Sequence, residues 1–193
     1  MKKLYFLLSA ILLAGSMTAQ GEAIFTLKGT AMDTRYAGQS ELRLSVMGWN
    51  EPEQQQAVVQ AWRQFQADGN TGTLASVLEA QPTKGYLFSS AATGYSIKYA
   101  WQDPNARDKR MVFMVTPGLK TRNPYMWKHP NELAKEFSLI EIRGSELDMD
   151  MKSSLEAPVE LTDGDILQLK DFEAAELFAS MADNTPYYLK QDS

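Results

Sequence analysis

Apolar residues recur at every second position in several short stretches of this chain. Extended backbone explains that period, because successive side chains of a strand point to opposite faces. From Glu22 to Met32, Phe25, Leu27 and Gly29 share one face and Thr26, Lys28 and Thr30 the other. From Glu41 to Trp49, Leu42, Leu44 and Val46 are directed inward while Glu41, Arg43 and Ser45 are directed outward. The densest set lies between Lys84 and Thr116. It holds Tyr86 to Phe88, then Tyr95, Ile97, Tyr99 and Trp101 at alternate positions, then Met111 to Val115, with turn residues at 91–94 and 103–106. That pattern predicts three neighbouring antiparallel strands. Residues 95, 97, 99 and 101 would form a single apolar stripe, with Ser96 and Lys98 on the reverse. Phe137 to Arg143 and Leu147 to Leu155 predict two more strands. Val159 to Leu161 and Ile166 to Leu169 flank Thr162-Asp163-Gly164-Asp165, and Asp-Gly between apolar runs predicts a hairpin.

At Asn50 the period changes from two to the helical spacing. Asn50 is placed to cap, Pro52 suits a first turn, and Glu53 follows the cap by three residues. Val58, Ala61, Trp62 and Phe65 then fall on one face, predicting an amphipathic helix to about Ala67, stopped by Asp68-Gly69-Asn70. Thr71 or Thr73 caps a shorter helix carrying Leu74, Val77 and Leu78, which Pro82 ends. Pro117 to Asn131 reads as a long loop, with one helical turn at Asn131 to Lys135. Glu173 to Met181 has helix-forming composition, and Pro186 to Lys190 reads as an edge strand or a tail. Strands that follow one another through short turns predict a single α+β domain. The expected architecture is a mostly antiparallel β-sandwich or open barrel. A helical hairpin, 51–67 and 73–81, is inserted between its second and third strands.

The N-terminus adds an address. Met1-Lys2-Lys3 is a short basic segment, Leu4 to Ala14 is almost wholly apolar, and small and polar residues follow. That is the order of a secretory signal peptide spanning residues 1–19, cleaved after Ala19 or, alternatively, after Ser16. Its apolar run is too short to span the roughly 30 Å of bilayer hydrocarbon. The globular domain is then 20–193, with no membrane span, and its expected location is periplasmic or extracellular. Formal net charge is −5, and loss of Lys2 and Lys3 makes the mature chain more acidic, which disfavours nucleic acid and anionic lipid as partners. The chain contains no cysteine, so an exported form is held by burial and hydrogen bonds alone and has no thiol chemistry.

Four stretches occur in a characteristic order: Leu42-Arg43-Leu44-Ser45-Val46 before Trp49, Gly94-Tyr95-Ser96-Ile97-Lys98-Tyr99-Ala100, Lys109-Arg110-Met111-Val112-Phe113 followed by Thr116, and Ile140-Glu141-Ile142-Arg143. With their gaps they resemble a family of secreted bacterial β-rich proteins of unknown function. The likeness covers most of the mature chain, rests on strand patterns, and implies no activity.

Catalytic groups are scarce. His129 is the only histidine and has no nucleophile motif beside it. Gly94-Tyr95-Ser96 lacks the second glycine of a nucleophile elbow. One imidazole cannot build a histidine zinc site. Met126 with His129, or Met149 with Met151, offers soft copper(I) ligands, but core packing accounts for methionines more simply. Asp148, Asp150, Asp163 and Asp165 lack calcium-loop spacing. No phosphate-cradling glycine loop is present, and no cofactor or metal is expected. Glu141 lies inside the apolar run Leu139 to Ile142. Buried there it needs a cationic partner, with Arg43, Lys98 and Arg143 as candidates and Glu141 with Arg43 as the expected structural buried charge. The aromatic residues suggest binding: Tyr95, Tyr99 and Trp101 on one face, with Trp49, Tyr125 and Trp127 in adjoining loops. The alternative is that these rings are core beneath the helices. The expectation is therefore an exported, non-catalytic protein that binds a small apolar or sugar-like ligand or an envelope protein. The rivals are a hydrolase using Glu141 with a second carboxylate, and an interaction module without a pocket.

Overall fold

The alternating stretches do form strands. A computed structural model describes residues 22–33, 38–89, 94–116, 119, 137–154 and 157–185. The signal segment, most of the expected loop at 117–131, the turn at 131–135 and the tail at 186–190 lie outside these residues. The described elements are β1 (Phe25–Asp33), β2 (Gly38–Val46), α1 (Pro52–Asp68), α2 (Thr71–Ala80), β3 (Gly85–Ser89), β4 (Gly94–Gln102), β5 (Lys109–Thr116), β6 (Ser138–Gly144), β7 (Met149–Ser153), β8 (Val159–Leu161), β9 (Leu167–Leu169) and β10 (Ala179–Asp183).

Eight strands form one closed antiparallel barrel in the order β1-β10-β7-β6-β5-β4-β3-β2, and β8 and β9 pair separately. Neighbours around the wall are neighbours along the chain. Among the described residues, the meander is interrupted by the helical hairpin between β2 and β3 and by β8–β9 between β7 and β10. The fold is α+β and mostly antiparallel, as the sequence predicts, but the sheet is neither a sandwich nor an open barrel. The closing seam pairs β1 with β10, Leu27 opposite Asp183 and Gly29 opposite Met181. Closure satisfies the edge groups that an open sheet would leave unpaired. Gly29 makes the seam possible, because a Cβ there would run into the Ser180 carbonyl oxygen and the Met181 sulfur.

The wall separates two cores. Inside are Leu27, Leu44, Val46, Phe113, Ile140 and their neighbours. Outside, Val58, Trp62, Leu74 and Leu78 of the helices, with Leu167 and Leu169 of β9, pack on Tyr99, Val112, Met114 and Leu139. Strands β5 and β6 are thus covered on both faces. That is why Met111 to Val115 is continuously apolar and Leu139 to Ile142 is apolar apart from the paired Glu141, where one-sided burial would give alternation. On β1 and β2 the outer positions Lys28, Thr30, Glu41 and Arg43 are exposed, and alternation there is clean.

Three local expectations change. On β4 the register runs from Ile97 opposite Val115 to Tyr99 opposite Met114, leaving Lys98 as the extra residue of a bulge. The bulge flips the remaining side chains, so Tyr95, Ile97 and Ala100 face inward while Tyr99 and Trp101 face outward. The single stripe at 95, 97, 99 and 101 is therefore split. Lys98 Nζ instead reaches the carbonyls of Glu79 (3.4 Å) and Gln81 (3.0 Å) at the end of α2, where carbonyls lack helical partners. Second, α1 is capped at Glu51, whose N–H donates to Gln54 Oε1 at 3.1 Å. Asn50 is buried and bonds Ala100 in both directions: its Oδ1 accepts at 2.6 Å and its N–H donates at 2.9 Å. Asn70, not a threonine, caps α2, its Oδ1 accepting from Gly72 N–H at 3.0 Å. Third, the helix-like stretch before Ala182 ends as β10, because the last barrel position outweighs local propensity.

Candidate binding site at the ends of the barrel

The two ends of the barrel carry different chemistry. At the first, where β1 and β5 begin and β10 finishes, Phe25 and Lys109 meet Asp183. Lys109 Nζ lies 2.9 Å from Asp183 Oδ2 and 3.5 Å from Glu146 Oε1. The same ammonium sits 4.7 Å from the centre of the Phe25 ring. Trp49 packs with Phe25 at 6.4 Å and Phe113 at 6.0 Å between ring centres, and its carbonyl accepts from Lys84 Nζ at 3.0 Å. The Asp183 side chain is only 2% exposed. A paired charge and three rings thus plug this end.

Hydroxyls gather at the opposite end. Tyr95 packs against the inner core, and burial pushes its phenol up to about 12. Ser138, beside Ile140 on the inward face of β6, accepts from the Leu119 N–H at 2.8 Å. Ser153 follows Met149 and Met151 on the inward face of β7 and pairs in register with Ile140. It is 0% exposed, and its Oγ is the one buried side-chain polar atom among the described residues without a hydrogen-bond partner. Sequence reasoning missed both serines. Their inward placement is readable from alternation, but an unmet hydrogen bond is visible only in three dimensions.

The four expected aromatic residues that are described, Trp49, Tyr95, Tyr99 and Trp101, do not assemble into one site. Trp49 and Tyr95 lie inside the barrel near opposite ends. Tyr99 and Trp101 lie outside, under the helices and hairpin. Tyr99 is buried, which drives its phenol far above the ordinary range. Trp101 is half-buried, with the Arg110 guanidinium 5.7 Å from its ring centre. Tyr125 and Trp127, like His129 and Met126, lie outside the described residues. Met149 and Met151 are packed in the inner core.

Glu141 is fully buried, but Arg43 is not its partner. Arg43 is exposed, stacks 4.8 Å from the Phe88 ring centre, and is separated from β6 by three strands. The partners are Arg110 Nε at 3.1 Å and Arg143 Nε at 2.8 Å on Oε1, and Leu169 N–H at 2.8 Å on Oε2. Arg110 continues to Gln168, whose amide donates to Glu160 at 2.7 Å. Next to it Lys152, also buried, donates to the carbonyls of Phe172 (2.8 Å) and Glu173 (3.3 Å). The cluster fastens β8–β9 and the following turn to the outer wall. With both oxygens occupied and no exposed surface, the Glu141 carboxylate has no face to offer a substrate. Among the described residues, no group of three His, Cys, Asp or Glu side chains is placed to hold a metal.

No protein-family model, no curated protein and no solved structure matches the chain, so the geometry of the barrel alone carries the functional reading.

Proposed function

We propose that this is an exported, non-catalytic binding protein that takes a small, largely apolar ligand inside its barrel. The observation that carries the reading is a closed eight-stranded wall with an apolar lining, plugged at one end by Lys109, Asp183 and aromatic rings. Barrels of this strand number have an interior that side chains just fill or that holds one small ligand. Met111, Met149, Met151 and Met181 contribute to the lining. Unbranched thioether chains can repack around a guest at little cost. The same apolar lining argues for a hydrocarbon-like guest over a sugar, which needs many hydrogen bonds. The enclosed Glu141 argues against the carboxylate hydrolase.

Titration of the folded protein with the fluorescent apolar probe N-phenyl-1-naphthylamine tests the proposal. Saturable one-to-one uptake that raises the unfolding midpoint is expected, since a ligand bound only by the native state stabilises it. Absence of saturable binding would overturn it. One observation favours a second reading, an interaction module for another envelope protein. Leu147 (86% exposed) and Ile24 (43%) are the exposed large hydrophobic residues among those described, and both flank the plugged end.

A further inference from the structure

We infer that the ligand carries one neutral hydrogen-bonding oxygen, a hydroxyl or a carbonyl, and that Ser153 Oγ holds it at the barrel end opposite the plug. The inference rests on the ligand-binding reading above and adds the chemistry and the orientation of the guest. Ser153 is wholly enclosed, faces inward beside Ile140, and has an Oγ with no partner. Folding strips water from such a hydroxyl without returning a hydrogen bond, an arrangement that native structures largely avoid. The hydroxyl that no protein group meets is therefore satisfied either by an ordered water or by a guest that displaces it. Its surroundings favour the second. Leu119 N–H uses an acceptor position of Ser138 on the adjacent strand, leaving the Ser138 hydroxyl proton to donate. Tyr95 lines the same end of the interior.

Charge decides the class of head group. Lys109, the inward cation among the described residues, lies at the plugged end and is already paired with Asp183 and Glu146. Among the described residues, the end holding Ser138, Ser153 and Tyr95 presents hydroxyls and apolar side chains to the interior. A carboxylate or sulfate buried there would find no counter-charge among the described residues, whereas a neutral oxygen needs only the hydroxyls. The guest is thus a neutral amphiphile, hydrocarbon body toward the plug and oxygen toward Ser153.

Displacement of N-phenyl-1-naphthylamine by 1-dodecanol, n-dodecane and dodecanoate tests this, using the wild-type protein and the variants Ser153→Ala and Ser153→Cys. One hydrogen bond corresponds to about a tenfold change in affinity at most. Ser153→Ala should therefore weaken 1-dodecanol by roughly five- to tenfold, leave n-dodecane unchanged, and raise the unfolding midpoint of the empty protein. Ser153→Cys, with a weaker donor of similar shape, should fall between the two and guards against a packing artefact. Equal effects of Ser153→Ala on both ligands, or on neither, would overturn the inference while leaving the binding reading intact. Tighter binding of dodecanoate than of 1-dodecanol would overturn the neutral head group. No probe uptake by the wild-type protein would defeat the binding reading, and this inference with it.

Discussion

A carboxylate with no exposed surface persists only where each oxygen is paired, and Glu141 meets that condition through Arg110, Arg143 and the Leu169 N–H. Removing the charge strands two guanidiniums that are themselves only 22% and 32% exposed. Breaking a buried pair from one side costs about 3–5 kcal/mol, and partial access of both arginines to water places Glu141→Gln near about 3 kcal/mol. A lowered urea midpoint at unchanged slope is the expected result. Tyrosines give a second residue-scale prediction. Burial raises Tyr95 to about 12 and Tyr99 further, against an unfolded value of about 10. The native state therefore holds these protons more tightly than the unfolded chain. Their contribution to stability is complete below about pH 10 and is lost as pH rises through the folded values. Urea unfolding followed across this alkaline range should show that decline, and Tyr95→Phe with Tyr99→Phe should flatten it. Of this chemistry, Glu141 was legible in the sequence as an acid inside an apolar run. Of its partners, Arg143 was legible as a candidate two residues along the same strand, whereas Arg110 and the Leu169 N–H were not, because only the fold sets the β5–β6 register and lays β9 over β6.

At the scale of elements, the helical hairpin was the plainest feature of the chain, since Val58, Trp62 and Phe65 repeat with the helical period. Trp62 is 4% exposed and packs edge-on against Phe65 and Phe137, at 5.3 and 6.2 Å between ring centres. Trp62→Ala should cost about 3–5 kcal/mol in denaturant unfolding, as for other buried large aromatics. Gly69 ends α1 at φ 69°, with nothing within 4 Å of the position a Cβ would take. Gly69→Ala should therefore cost only the backbone penalty of about 1 kcal/mol. The β4 bulge was harder to see. Ala100 between Tyr99 and Trp101 is the local sign, because three consecutive apolar residues do not fit a strand buried on one face only. Lys98, the extra residue of the bulge, reaches the Glu79 and Gln81 carbonyls at the end of α2, a contact between elements that local periodicity does not record.

For the whole molecule, the proposal of export makes a direct prediction: the intact mass of the protein recovered outside the cytoplasm should correspond to a chain beginning at Gln20, or at Met17 for the alternative cleavage. Retention of residues 1–13 would contradict it. Sequence by itself determined the types of β1 to β9 and of both helices, the antiparallel order and the poverty of catalytic groups. Each of these follows from local period, turn chemistry or composition, which a linear chain displays. Only the tertiary structure decided that β1 meets β10, that Lys109 and Asp183 plug one end, that Tyr99 and Trp101 leave the interior, and that Ser153 lacks a partner. Closure depends on accumulated twist, on the bulge and on the close approach permitted at Gly29. Those bring together residues from the two ends of the chain, a relation that alternation, with its period of two, does not encode.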